Sequence, residues 1–143
     1  MNRQDINRRK AEHIDINLNY DVASGLQTGL DDYYFIHEAL PELNLKDIDT
    51  SITLFGRALK IPLLISSMTG GVDKAVDINT RLAVAAQQCG IAMGVGSQRP
   101  VLSDPSLMES YAIRRYAPDA LLFANLASVQ LNYGMKIDDC QRA

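Results

Sequence analysis

Two short polar segments contain the residue types that could bind a charged ligand. They are residues 66–71, with the sequence SSMTGG, and residues 94–99, with the sequence GVGSQR. Each lies where an apolar run ends, and α/β folds place ligand-binding loops directly after buried strands. Glycine lets a ligand approach the backbone closely, while Ser, Thr and Arg side chains supply hydrogen bonds and a charge. We therefore expect two neighbouring loops of one site.

A third polar position ends another apolar run. Thr69, Ser97 and Asn125 are separated by 28 residues at each step, and the carboxyl ends of successive parallel strands surround one mouth. Their side chains would give short, neutral hydrogen bonds to a polar ring. Arg99 would add a charge that can hold a phosphate through two hydrogen bonds, or it would fold back onto an acid such as Asp104.

The common catalytic motifs are missing from the sequence. Arg99 occupies the last glycine position of a GxGxxG pattern, and neither a Walker lysine nor a GxSxG elbow occurs. The serines have no evident His and acid partners, and no His, Cys or acid pairs stand at metal-binding spacing. We therefore identify no catalytic residue and no metal ligand. The residues alone predict a phosphate- or cofactor-binding mouth of unknown reaction.

The hydrophobic pattern predicts the elements that position these loops. Helices are expected over residues 5–19, 75–88 and 105–116, with a further helix starting near 136–138. The sequence predicts a hairpin from 51–54 and 58–64, followed by strands at 62–66, 91–95 and 121–125. Before the hairpin, residues 21–30 are expected to form a loop, and residues 33–37 a short strand or a packing plug. In the second helix Ile78, Leu82, Ala85 and Cys89 form the expected buried face, and Gly90 caps its end.

The strand starts at 62, 91 and 121 recur at intervals of 29 and 30 residues, the length of a β/α unit. The architecture is therefore α/β with parallel strands and right-handed crossovers. A complete (β/α)8 TIM barrel takes roughly 250 residues. The 143 residues thus predict one partial barrel domain: residues 1–50 would form an N-terminal helix and irregular segment, and 51–143 a hairpin and about three β/α units.

Composition and net charge limit the classes of partner that the chain could bind. The chain is 47% hydrophobic and 22% charged, with a net charge of -3, which is typical of a globular protein and gives no signal for nucleic acid or a membrane surface. The N-terminus is not a secretory signal, and no apolar run reaches the roughly 20 residues of a membrane span. Two distant cysteines indicate reduced thiols, and with no signal or span in the sequence we expect a cytoplasmic protein. The predicted mouth at the strand ends would take a small-molecule substrate.

One more basic group lies near the start. Helical spacing over residues 5–19 places Arg9, Lys10 and His13 on part of one face, where they could close over the mouth or form a solvated basic turn. His37 has no partner motif and is interpreted as structural.

Together these motifs resemble the type 2 isopentenyl-diphosphate Δ-isomerases, which are FMN-dependent TIM-barrel enzymes. The resemblance is carried by Arg9 and Lys10 with His13 (RKxxH), by SSMTGG, by GVGSQR, and by Asn125 between Ala124 and Leu126. The four motifs follow in the family's order at similar intervals, over nearly the whole chain.

The resemblance implies a function in isoprenoid biosynthesis. Family members interconvert isopentenyl and dimethylallyl diphosphate with reduced FMN, Mg²⁺ and NADPH and no net redox change, the flavin serving as acid and base. The residues implied in FMN binding are Ser67, Met68, Thr69, Ser97 and Asn125. Those implied in substrate binding are Arg9, Lys10, His13, Ser97, Gln98 and Arg99.

Two departures from the family are visible. Ala127 and Ser128 stand where the family usually has a glycine and a small residue. The family's glutamine near the substrate double bond, its acidic Mg²⁺ ligand, its flavin-contacting lysine and its glycine-rich FMN-phosphate loops lie farther along. We therefore expect a truncated chain with impaired activity, which would form a homo-oligomer if complete or pair with a complementary C-terminal fragment.

Two alternatives remain open from the sequence. The chain could belong to another FMN-dependent barrel oxidoreductase that acts on a small acid. It could also be a non-catalytic fragment of a split or frameshifted gene.

Overall fold

The structure, a computed structural model, describes residues 3–142, with side chains from residue 8 onward except at 133. The ends of the predicted domain, residues 1, 2 and 143, lie outside the described residues. The α-helices in this range are α1 (Arg3–Asn19), α2 (Asp73–Cys89), α3 (Arg99–Ser103) and α4 (Ile137–Arg142). The strands are β1 (Ile52–Leu54), β2 (Arg57–Leu59), β3 (Leu64–Ile65), β4 (Ala92–Ser97) and β5 (Leu122–Asn125). Five 3₁₀ segments are described at Leu30–Asp32, Leu45–Asp47, Pro105–Ser110, Ile113–Arg115 and Ser128–Tyr133.

The strands form two small sheets. β1 and β2 make the predicted antiparallel hairpin, turning through Phe55 and Gly56, both of which have positive φ. β3, β4 and β5 lie side by side in that order and run parallel, so the β/α spacing in the sequence correctly predicts parallel neighbours. β3 is shorter than the predicted strand 62–66. A TIM barrel and the division of the domain at residue 50 remain predictions.

Small residues form the buried face of α2. Ala75, Asn79, Ala83 and Ala86 are buried, whereas the predicted face is wrong: Ile78 and Leu82 are only partly buried, and Ala85 and Cys89 are exposed. Small side chains let a helix backbone approach its neighbours closely, which explains why alanines rather than larger residues face the interior. Gly90 closes the helix in the left-handed conformation, as predicted.

The core lies between α2, the parallel sheet and the segment after it. Its buried members are Ala83, Ala86, Ile91, Met93, Val95, Val101, Tyr111, Ile113, Ala117 and Ala120. β4 is the central strand and is buried along nearly its whole length. Gly94 to Ser97 of the GVGSQR segment are therefore part of a strand held on both sides by neighbours, and not of the predicted loop.

The predicted helix 105–116 begins as expected but does not continue. Asp104 caps it by accepting a hydrogen bond from the Ser106 backbone N–H, and Pro105 follows, yet the segment consists of two 3₁₀ pieces. The Ser110 carbonyl accepts from the Asn79 side chain, and Ala112 has a ψ of 50°, outside the helical region. A tertiary hydrogen bond thus takes the carbonyl that an α-helix would use.

Much of the N-terminal half is exposed. Residues 33–37 form neither a strand nor a packing plug, since Tyr33 to Ile36 are 82–99% exposed and His37 is exposed as well. Ile61, Leu63 and Leu64 are also at least 38% exposed, so the expectation of a buried run before the first loop is wrong for this chain. β3 is an outer strand of the sheet, and only β4 covers one of its edges.

Candidate anion-binding site at the strand ends

The SSMTGG loop lies against the GVGSQR segment, whose first four residues belong to β4. The Gly96 backbone N–H donates to the Thr69 carbonyl oxygen at 2.9 Å. A Cβ at Gly96 would lie 2.6 Å from that oxygen, and one at Gly94 would collide with the Ser67 hydroxyl. Glycine is therefore required at Gly96, where the Cβ would meet backbone, while at Gly94 the Ser67 hydroxyl would have to move.

The third strand end joins the same group. Ser97 and Asn125 are register partners of β4 and β5, and the Gln98 backbone N–H donates to the Asn125 carbonyl oxygen at 2.9 Å. The backbone after β3, β4 and β5 therefore forms one continuous surface at the carboxyl edge of the sheet.

A buried polar pair holds the SSMTGG loop from beneath. The Asn79 side-chain amide donates to the Ser110 carbonyl oxygen at 2.8 Å and to the Thr69 carbonyl oxygen at 3.2 Å. The Ser110 hydroxyl in turn accepts from the Gly71 backbone N–H at 2.8 Å. Both side chains are buried, at 2% and 3% exposure, so these bonds satisfy groups that water does not reach.

Helix α1 brings Lys10 onto this loop. The Lys10 ammonium donates to the Gly70 carbonyl oxygen and, at 3.2 Å, to the Tyr111 hydroxyl. It also lies 5.9 Å from the centroid of the Tyr111 ring, within the range of a cation–π contact. The Tyr111 hydroxyl donates to the Ser97 carbonyl oxygen at 2.8 Å. Lys10 is thereby connected to both loops.

The protein surroundings shift the pKa values of Lys10 and Tyr111. Burial, and secondly the positive charge of Arg99, lower the pKa of Lys10 from 10.5 to about 8. Burial raises the pKa of Tyr111 from 10 to about 12, so its hydroxyl remains neutral at pH 7. The positive charges of Lys10 and Arg99 thus repel each other in a partly desolvated site, and a bound anion would stabilise both.

A cavity of about 360 Å³ opens beside Lys10. Lys10, His13 and Thr69 contribute polar groups to its wall, while Met68 and Ile78 belong to its apolar part. A second cavity of about 250 Å³ is lined by polar groups that include Arg99, Gln130 and Asp139. Lys10 and Arg99 thus each line a cavity, and the two cavities have no lining residue in common.

The predicted site residues differ in how far their side chains are exposed to solvent. Arg9 is exposed on α1, and Met68 is 72% exposed at the cavity. Gln98, in contrast, is 4% exposed, and its amide lies 3.5 Å from the Gly96 carbonyl oxygen, so in this structure it faces the protein interior. Asn125 is exposed at the end of β5.

Two polar atoms of the predicted set are buried without a hydrogen-bond partner among the residues that the structure describes. They are the Thr69 hydroxyl oxygen and the Arg99 Nε. Buried polar groups normally have partners, and one left without costs about 1–3 kcal/mol. Bound ligand atoms are one way to supply such partners.

Sequence reasoning missed Asn79, Ser110 and Tyr111. Asn79 could have been found, because it interrupts a row of alanines at helical spacing, with Ala75 before it and Ala83 after it. Ser110 and Tyr111 gave no such signal, since their contacts depend on the break in the predicted helix.

Residues 3–142 contain neither a metal-ligand cluster nor a membrane-spanning helix. No group of three or more His, Cys, Asp or Glu residues in this range could hold a metal ion. None of the helices described there combines the length and apolar character needed to cross a membrane.

The geometry defines a cation-bearing site at the carboxyl ends of parallel strands. No protein-family model matches the chain. Among curated proteins, it is 52% identical over 134 residues to an isopentenyl-diphosphate delta-isomerase of Rickettsia bellii (strain RML369-C), covering 94% of the chain. Proteins of the same name from Rickettsia canadensis (strain McKiel) and Rickettsia prowazekii (strain Madrid E) are each 53% identical over 133 residues, or 93% of the chain. The chain spans 39% of the length of these relatives.

Proposed function

We propose that the chain takes part in the isomerisation of isopentenyl diphosphate to dimethylallyl diphosphate, and that it supplies the diphosphate clamp and one wall of an FMN site. The observation that carries this proposal is the contact of Lys10 with the Gly70 carbonyl oxygen and with the Tyr111 hydroxyl, which itself bonds the Ser97 carbonyl oxygen at the end of β4. The name of these relatives supports the choice of substrate, because it specifies a diphosphate ester.

The clamp works through charge placed in a partly desolvated site. The Lys10 ammonium has three donors, two of which have the Gly70 and Tyr111 partners described above, so a diphosphate oxygen could take the third. Arg99 adds a planar guanidinium, which suits phosphate oxygens in pairs. Charge-assisted hydrogen bonds of this kind are worth about 1.5–3 kcal/mol each.

The residues at the strand ends fit a flavin in chemical type. Ser67, Thr69, Ser97 and Asn125 offer neutral donors and acceptors, and the Thr69 hydroxyl lacks a protein partner. Reduced FMN would supply the acid and base that move a proton at the substrate double bond. The chain's own part is to hold the ring with these polar groups and to anchor the diphosphate. NADPH as the reductant and Mg²⁺ belong to the same proposal by resemblance.

A calorimetric titration with inorganic diphosphate at low salt tests the clamp. We expect Lys10→Gln and Arg99→Gln each to weaken binding about tenfold or more, since each removes a charge-assisted bond. Arg81→Gln is the matched control, because Arg81 is exposed on α2 and pairs with Asp77 away from the loops. Equal losses in all three variants would reduce the effect to net charge and contradict a clamp.

The flavin part needs its own titration. Quenching of FMN fluorescence by the wild-type chain should weaken several-fold in Thr69→Val, which replaces the unpartnered hydroxyl with a methyl group of similar size. Thr53→Val in the exposed β1 strand serves as the control. If the wild-type chain does not quench FMN at all, the chain alone does not hold a flavin.

A chimera tests the reaction itself. This chain would replace the aligned 134 residues of the Rickettsia bellii relative, with the remainder of that relative retained. Formation of dimethylallyl diphosphate under reducing conditions, without net consumption of NADPH, is the expected result. Consumption of NADPH coupled to substrate would instead favour an oxidoreductase, and no turnover by a folded chimera would favour a non-catalytic role for this chain.

A further inference from the structure

Tyr111 connects three parts of the candidate site. It follows the 3₁₀ segment Pro105–Ser110 and is 8% exposed. Its hydroxyl donates to the Ser97 carbonyl oxygen at 2.8 Å and accepts from the Lys10 ammonium at 3.2 Å. Because its proton is committed to Ser97, its lone pairs are directed elsewhere, and Lys10 uses them.

The fit around Tyr111 is close. A Cβ at Gly70 would collide with the ring, and a Cβ at Gly71 would lie 3.0 Å from the hydroxyl oxygen. The ring and hydroxyl therefore fill the space next to the glycine pair of the SSMTGG loop. The Lys10 ammonium lies across the same ring, 5.9 Å from its centroid.

We propose that Tyr111 is a positioning residue that holds the Lys10 ammonium at the SSMTGG loop for binding of a diphosphate group. The inference rests on the proposed function, because it assumes that Lys10 binds this anion. Tyr111 acts through Lys10 and does not itself contact the ligand.

The need for such a residue follows from the lysine side chain. Lys10 ends a flexible four-carbon stem, and fixing a lysine costs about 2 kcal/mol of side-chain entropy. The Arg99 charge nearby also disfavours the ammonium in this place. The Gly70 carbonyl holds it on one side, and the Tyr111 hydroxyl and ring hold it on another.

A double-mutant cycle with inorganic diphosphate tests the coupling in the full chain. Tyr111→Phe keeps the ring and removes the hydroxyl, and we expect it to weaken binding about fivefold when Lys10 is present. In the Lys10→Met background the same change should alter the dissociation constant by less than about 1.5-fold. Tyr116→Phe, a partly exposed tyrosine beside Arg115, is the control and should have no effect in either background. An equal loss in both backgrounds, or no loss in either, would overturn the inference.

A second measurement does not depend on diphosphate. The pKa of Lys10, measured as its titration midpoint from the NMR shift of the ε-methylene group, should be about 8 in the wild type. In Tyr111→Phe it should move toward 10.5, because the ammonium becomes solvent-exposed. The other basic residues near Lys10, Arg99 and His13, are not substituted in this variant. If the midpoint stays at its wild-type value in Tyr111→Phe, Tyr111 does not position Lys10.

The diphosphate titration and the Lys10 pKa measurement distinguish the proposed clamp from the positioning role of Tyr111. A wild-type chain that binds no diphosphate contradicts the proposed clamp, while the Lys10 midpoint still decides whether Tyr111 holds the ammonium. If Tyr111→Phe does not fold, the wild-type chain alone gives the answer: nuclear Overhauser contacts between the Lys10 ε-methylene and the Tyr111 ring protons are expected, and their absence would overturn the inference.

Discussion

Asn79 donates its side-chain amide to the Ser110 carbonyl oxygen at 2.8 Å, and this buried bond links α2 to the 3₁₀ segment beneath the SSMTGG loop. The same amide reaches the Thr69 carbonyl oxygen at 3.2 Å. One helical side chain therefore fixes the backbone of a loop and the backbone of the segment that replaces the predicted helix. The shape of the site depends on a residue that is not itself part of the proposed ligand set.

Asn79→Leu should destabilise the chain by about 1–3 kcal/mol, because two buried carbonyl groups would lose a donor. Asn19→Leu is the control: its amide bonds Asp15 on the exposed surface of α1, and we expect a change within about 0.5 kcal/mol. Urea unfolding monitored by circular dichroism gives both values. Similar small effects in the two variants would show that the Asn79 bonds contribute little.

The glycine pair of β4 gives a second prediction about stability. Gly96→Ala should cost about 1–3 kcal/mol, because the new Cβ would lie 2.6 Å from the Thr69 carbonyl oxygen, a backbone atom that cannot turn away. Gly94→Ala should cost less, since the Ser67 hydroxyl that it meets can rotate. Gly25→Ala, in open space, should be neutral or slightly stabilising. The order of the three unfolding midpoints in urea checks the prediction, and a Gly94→Ala variant less stable than Gly96→Ala would contradict it.

The sequence predicted those elements whose signals are local. The helix near the N-terminus, the hairpin, the parallel strands and the caps at Gly90 and Asp104 all follow from spacing and capping residues. The predicted face of α2 is wrong because hydrophobic size does not decide which side of this helix is buried. The interior here accepts Ala83 and Ala86 and leaves Leu82 at its edge.

The site could be predicted only in part for a related reason. Ser97 and Asn125 are the last residues of β4 and β5, and Thr69 follows β3 and bonds Gly96, so the three positions lie at the edge that the topology predicts. The position of Lys10 beside Tyr111 joins residues 101 positions apart through a contact that no periodicity encodes. Such contacts depend on the tertiary arrangement and not on any local pattern.

The exposed segment 33–48 predicts the pattern of limited proteolysis. Tyr33 to Ile36 and Leu40 are 82–99% exposed, and no helix or strand is described from residue 33 to 44. Chymotrypsin should therefore cut after Tyr33, Tyr34 or Phe35 at least tenfold faster than after Tyr111, which is 8% exposed. Mass spectrometry of timed digests identifies the first cuts. Early cleavage after Tyr111 would mean that the core opens as readily as this segment.

The lowered pKa of Lys10 makes stability depend on pH in a defined direction. Its pKa of about 8 lies below the ordinary value of 10.5, so between these values the unfolded chain binds more protons than the folded chain. Lys10 therefore disfavours folding below pH 8, and this penalty is lost as the pH rises from 8 toward 10.5. Tyr111 acts oppositely, because its pKa is raised to about 12 and stability falls as the pH rises above 10.

The Lys10 contribution is best measured between pH 7 and 9.5, before Tyr111 titrates in the unfolded chain. The free energy of unfolding of the wild type minus that of Lys10→Met should increase across this range, because the subtraction removes every group that the two proteins share. Urea unfolding at four or five pH values is sufficient, with Lys60→Met, an exposed lysine, as the control whose difference should stay level. A level difference for Lys10→Met as well would mean that Lys10 titrates in the folded chain as it does in water, and that its ammonium is not held in the partly buried place beside Tyr111.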